Sequence, residues 1–267
     1  MGILPAVERR KCMVRVRRAD GRAPVRERSE EGRAAMAYEL VIGNFNTSSW
    51  SLRSWVLMHQ FGFAFDEVFV RLTDAQNRYV EGRAAEVGRH SPSGTVPVLR
   101  IDGAPVWDTL AIAETLAERH ADLDMWPSVP QARAHARAVS AEMHAGFTPL
   151  RAEHPMDISH YRPVNAVSDA VASNIRRIVA LWGECRSRFA GDGEFLFGAF
   201  SIADSMYAPV VSRFATYGID PRAYGGDEKT LAYMQAVWAV PAMVAFRERA
   251  VAEIGAQRAD AFPDWIA

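Results

Sequence analysis

The chain has 267 residues, 49% of them hydrophobic and 24% charged, with a formal net charge of -1. This is the composition of a globular protein in water, without an apolar run near the roughly 18 residues a membrane span needs. Its length leaves room for two domains of roughly 80 to 130 residues, each with its own core. Cys12 and Cys185 stand in unrelated contexts, with no Cys-x-x-Cys pair and no metal-ligand spacing, so neither a disulfide nor a metal is expected.

The even charge hides an asymmetry. Residues 1–35 carry ten basic groups against five acids, while the remainder is acidic. Residues 1–37 are expected to be a disordered extension, or the product of an over-extended start ahead of Met36, since their acids argue against a transit peptide. Tyr38–Gly43 then reads as a buried strand and Asn44–Ser49 as a polar turn. Apolar spacing from Trp50 to Phe61 predicts a helix that Gly62 stops. A second strand over Asp66–Leu72, a weaker helix over Ala75–Val87, and a hairpin of Val98–Ile101 and Pro105–Trp107 around Asp102-Gly103 follow. Thr109–His120 returns to helical spacing. The order β-α-β-α-β-β-α over residues 38–121 predicts a small mixed sheet with helices packed on it.

After a linker at 122–130 the pattern becomes helical throughout. Runs at Ala132–Leu150, Ala166–Phe189, Ile202–Tyr217, Leu231–Trp238 and Pro241–Ile254 predict an all-helical domain over 131–256, with a tail at 257–267.

Two spots in the first domain invite a ligand. Thr95-Val96-Pro97 leads into a strand, where a cis proline would turn the backbone groups of Val96 outward to pair with an extended peptide. Asp108-Thr109 stands at a helix start, where a carboxylate, a hydroxyl and free N–H groups suit a small charged ligand. Together they predict a site for a short charged peptide.

In order and spacing these motifs resemble the glutathione transferase superfamily, over residues 38 to about 255. The first module is similar to its thioredoxin-like domain, Val96-Pro97 to its cis-proline element and Asp108-Thr109 to its acidic-or-Gln plus Ser/Thr pair. Ser201-Ile202-Ala203-Asp204 resembles the capping box of a helix in its second domain. The loop Asn46-Thr47-Ser48-Ser49-Trp50-Ser51-Leu52-Arg53 is similar to the serine-type members of the zeta and tau classes, with Ser48 at the catalytic position and Ser49 its neighbour.

The resemblance implies a glutathione site of Ser48, Ser49, Thr95, Val96, Pro97, Asp108 and Thr109. Asp108 would meet the γ-glutamyl ammonium, Thr109 the carboxylate, and Val96 the cysteinyl backbone. Physical chemistry supports a hydroxyl at the start of a helix. Lowering a thiol pKa of about 8.5 by two units needs about 2.7 kcal/mol, which one charged hydrogen bond and a helix terminus approach together. A plain helix cap is the competing role for Ser48. Met143, His144 and Phe147 are candidates for the wall of a second, hydrophobic substrate. Ser201 and Asp204 are read as structural, and Arg53 as an ion-pair partner.

Function is therefore expected to be conjugation of the glutathione thiolate to a small hydrophobic electrophile, by a cytoplasmic homodimer without nucleic-acid or membrane partners. A glutathione-dependent cis-trans isomerase of the maleylacetoacetate type is the first alternative, although Trp50 stands where the zeta pattern has Cys. A noncatalytic binding or regulatory protein is the second.

Overall fold

In the computed structural model, residues 37–74, 76–256 and 261–266 are described. The expected basic extension, apart from Ala37, and Cys12 lie outside the described residues, as do residues 257–260 and 267 of the expected tail.

Strands β1 (Tyr38–Ile42), β2 (Asp66–Phe69), β3 (Val98–Ile101) and β4 (Ala104–Trp107) form one sheet in the order β2-β1-β3-β4. The β1–β2 pair is parallel and the other two pairs are antiparallel. Alternation along the strands assigns the two faces. Leu40, Ile42, Leu99 and Ile101 join the main core, with Leu52, Val56 and Leu57 of α1 (Ser49–Gln60) and Ile112 and Leu116 of α3 (Thr109–Arg119). Val41 and Val98 face the other way, onto Val70 and onto Val87 of α2 (Arg83–His90). The predicted β-α-β-α-β-β-α module is present.

Three boundaries differ from the sequence expectation. The second strand ends at Phe69, because Leu72 and Thr73 donate their N–H groups to Asn44 Oδ1 instead of continuing a ladder. The weak helix begins at Arg83, after Gly82 at φ 77, because the residues before it fold back through a bridge between Thr73 and Tyr79. The run predicted over Ala132–Leu150 divides into α4 (Pro130–Ala145) and α5 (Thr148–Glu153), since Gly146 leaves the helix and Phe147 takes φ 59.

The helical domain continues with α6 (Asp169–Cys185), α7 (Ile202–Tyr217), α8 (Glu228–Ala239) and α9 (Pro241–Glu253). α7 runs through the centre of the molecule, buried from Ile202 to Thr216, and packs against α1 and α4. Its start is fixed by the predicted capping box. Asp204 accepts from Ser201 N–H (2.8 Å), Ser201 Oγ (2.8 Å) and Leu196 N–H (3.1 Å). Cys185 is buried in the core. No described helix is long and apolar enough to cross a membrane.

Candidate active site at the start of helix α1

The sheet register brings the expected segments to one end. Val98 pairs with Val41 of β1 and with Trp107 of β4. Pro97 precedes Val98, Asp108 follows Trp107, and Gly43 leaves β1 two residues after Val41, towards the start of α1. The Val96-Pro97 bond is cis. Among the described residues, neither the N–H nor the C=O of Val96 makes a backbone hydrogen bond, so both are available to a peptide. Thr95 turns towards its own loop, its N–H on Ser91 Oγ (3.2 Å) and its hydroxyl on Ser93 Oγ (2.7 Å).

Asp108 caps α3, its Oδ1 accepting from Leu110 N–H at 2.9 Å. It does so at φ 74, which a residue with a side chain seldom adopts. The hydroxyl of Thr109 is buried and has no partner among the described residues, which leaves it free for a ligand.

The turn into α1 is pinned from several sides. Asn44 Nδ2 donates to Glu253 Oε1 (2.6 Å), and Phe45 N–H donates to Glu253 Oε2 (2.5 Å). Asn46 donates to buried Asp157 (2.7 Å) and accepts from Ser159 N–H (3.0 Å). Ser48 is the N-cap of α1. Its Oγ accepts from Ser51 N–H (3.3 Å) and donates to Ser51 Oγ (2.8 Å), which also receives Gly43 N–H (2.9 Å). Ser49 lies in the first turn, with Oγ 3.4 Å from Arg213 Nη2.

Three arginines complete the site, of which the sequence pointed only to Arg53, and in another role. Arg53, expected to be an ion-pair partner, makes no ion pair among the described residues. It is buried and donates to the carbonyls of Met206 (3.0 Å) and Ser49 (3.4 Å). Arg213, from α7, is also buried and donates to the carbonyls of His154 and Pro209, both at 2.9 Å. Arg151, from α5, sits over the Trp50 ring at 4.5 Å, as Arg53 does. Burial first, then the neighbouring guanidinium groups, holds Arg53 well below the usual arginine range and Arg213 at about 10. An arginine amid the apolar run Val210–Phe214 was the available signal.

The expected second-substrate wall is mostly core. Met143 is fully buried and Phe147 nearly so, since α4 turns that face onto the main core. His144 alone reaches the site, with Nε2 3.0 Å from Asp108 Oδ2 and its ring edge-on to Trp50 at 5.1 Å. A cavity of about 610 Å³ lies at the opposite end of the sheet, by Tyr38, Asp66, His90 and Arg100, and includes none of these residues.

Residues 47–119, from this turn through α3, match the family model "Glutathione S-transferase, N-terminal domain". Over these residues the chain is similar to the glutathione S-transferase family. Its fold is that of a glutathione transferase homologue from Burkholderia solved with bound glutathione (TM-score 0.60, 21% identity, 80% of this chain and 98% of that one). It is also that of the beta-class glutathione S-transferase of Sphingomonas chungbukensis (TM-score 0.55, 24% identity, 80% and 98%). In sequence it is similar to the maleylacetoacetate isomerase of Rhizobium meliloti, 36% identical over 115 residues, or 43% of this chain and 52% of that protein. A Caenorhabditis elegans protein named "Probable maleylacetoacetate isomerase" is 30% identical over 105 residues, 39% and 45% of the two chains. The matches thus span about half the length of these relatives. Among the described residues no His, Cys, Asp and Glu cluster could hold a metal ion.

Proposed function

We propose that the protein binds glutathione across the end of the sheet and uses its thiolate as a nucleophile towards a small electrophile. The observation that carries this reading is the meeting of three complementary groups at one place. Val96 offers a backbone donor and acceptor, Asp108 and Thr109 offer a carboxylate and an unpaired hydroxyl, and α1 begins between Gly43 and a set of buried guanidinium groups. The peptide would pair with Val96 as an added strand, with its ammonium on Asp108 and its carboxylate on Thr109. Its sulfur would lie at the positive end of α1, beside the hydroxyls of Ser48 and Ser49 and the N–H of Trp50.

In conjugation the thiol proton passes to water, the sulfur forms a bond to carbon, and the leaving group departs with the electron pair of the bond that breaks. Homodimerisation and a cytoplasmic location belong to the same reading.

A second reading, cis-trans isomerisation, is favoured by the names of the two sequence relatives. There the thiolate adds to a double bond, the carbon skeleton rotates, and the thiolate leaves again. The experiment that separates them follows free thiol and product together. Conjugation of an activated aryl halide consumes one thiol per product, whereas isomerisation of a cis-unsaturated keto acid leaves the thiol count unchanged. Glutathione binding without either reaction supports the noncatalytic alternative.

A further inference from the structure

Two serines stand at the start of α1, and their hydroxyls are in different states. The single proton of Ser48 is committed to Ser51 Oγ, while its lone pairs serve the N–H of Ser51. Ser49 is equally enclosed, at 9% exposure, but its Oγ accepts only from Arg213 Nη2, and its own proton has no acceptor among the described residues. A hydroxyl that accepts from a cation and has a free proton is set to donate to an anion.

The charges around it have the same bias. Arg53 of α1, Arg151 of α5 and Arg213 of α7 direct their donors to main-chain carbonyls, and among the described residues none has a carboxylate within 4.0 Å. Other titratable groups facing this corner are Asp108, engaged by His144, His154 beneath Arg213, whose own pKa burial lowers, and Tyr207 and Tyr217, whose hydroxyls donate to the carbonyls of Val139 and Pro155. Clustered buried cations without counterions are costly, and an anion arriving at the start of α1 relieves that cost.

We propose that Ser49, oriented by Arg213 of the helical domain, is the hydroxyl that donates to the glutathione sulfur, and that Ser48 is the cap that shapes the turn. The assignment rests on the glutathione reading above. Ser49 keeps its proton and donates a hydrogen bond, while the thiol proton leaves to water. Arg213 is a positioning residue, acting through Ser49 Oγ and through its charge.

The test is a pH titration of bound glutathione, read by ultraviolet absorbance of the thiolate, on wild type, Ser48→Ala, Ser49→Ala, Arg213→Lys and Arg213→Gln. Thermal melting of each variant accompanies it. Ser49→Ala is expected to raise the pKa of the bound thiol by about one unit, a tenfold loss of thiolate at a fixed pH below that value. Ser48→Ala is expected to move it less while lowering Tm. Arg213→Gln should raise the thiol pKa, and Arg213→Lys should recover part of the shift. If the Arg213 variants do not fold, the two serine variants decide alone. A larger shift in folded Ser48→Ala than in Ser49→Ala, or no shift in either, overturns the assignment while leaving glutathione binding intact. Wild type that binds neither glutathione nor S-methylglutathione overturns the glutathione reading itself, and this assignment with it.

Discussion

His144 Nε2 lies 3.0 Å from Asp108 Oδ2, so a side chain at the end of α4 holds the residue that caps α3. Asp108 therefore has two local duties, to Leu110 N–H through Oδ1 and to His144 through Oδ2, and the proposed ligand ammonium would be a third.

Asparagine at 108 separates these duties, because it caps as well as aspartate but has no charge. Asp108→Asn is expected to keep Tm near wild type and to weaken glutathione binding by about 10- to 100-fold, corresponding to a lost charged hydrogen bond of about 1.5 to 3 kcal/mol. His144→Gln should have a smaller effect on affinity, under about 1 kcal/mol, since both partners of that contact are partly exposed. Titration calorimetry checks both.

Ser48→Ala removes an N-cap whose hydroxyl also ties α1 to the end of β1 through Ser51 and Gly43. A loss of about 0.5 to 2 kcal/mol is expected, measured by urea unfolding at constant m.

Asp204 gives the fold a pH dependence of its own. Burial pushes its carboxyl up to about 6, against an ordinary value of 3.8, although hydrogen bonds from Leu196, from Ser201 and from its own N–H pull the other way. The folded state then holds the proton more tightly than the unfolded chain. The contribution is present in full below pH 4 and is lost as pH rises through 6, by an amount on the order of 3 kcal/mol. Asp204→Asn should flatten stability between pH 4 and 6. Asp204→Ala should flatten the profile in the same way but lie about 1 to 3 kcal/mol below Asp204→Asn throughout, because it strands the donors of Leu196 and Ser201. Urea unfolding across that pH range distinguishes the two variants.

Cys185 is enclosed by the core, and burial, helped by Glu184 and Asp204, pushes its thiol up to about 12. A Cys12→Ala protein is expected to resist alkylation by iodoacetamide while folded and to take up one label in denaturant, as read by intact mass.

What the sequence made legible was local. Apolar patterning gave the strands and their order with the helices, Asp102-Gly103 gave the hairpin, and Ser201 with Asp204 gave the start of α7, because each depends on neighbours in the chain. The division of α4 from α5 was missed, since Gly146-Phe147 sits inside an otherwise helical pattern and the break depends on Phe147 adopting a left-handed backbone. Asn44 and Asn46 looked like ordinary turn residues, yet their partners Glu253 and Asp157 are more than 100 positions away. The guanidinium cluster was harder still to read. Arg53, Arg151 and Arg213 come from three helices and meet only when α1 packs on α7, so a sequence pattern shows one arginine at a time.

This end of the sheet is proposed to bind glutathione and to favour its thiolate. Calorimetric titration with reduced glutathione at pH 7, repeated in buffers of different ionisation heat, tests it most directly. Binding is expected with release of a substantial fraction of one proton per glutathione, and no release with S-methylglutathione, which has no thiol to ionise. Absence of binding, or binding with the same lack of proton release for both peptides, would contradict it.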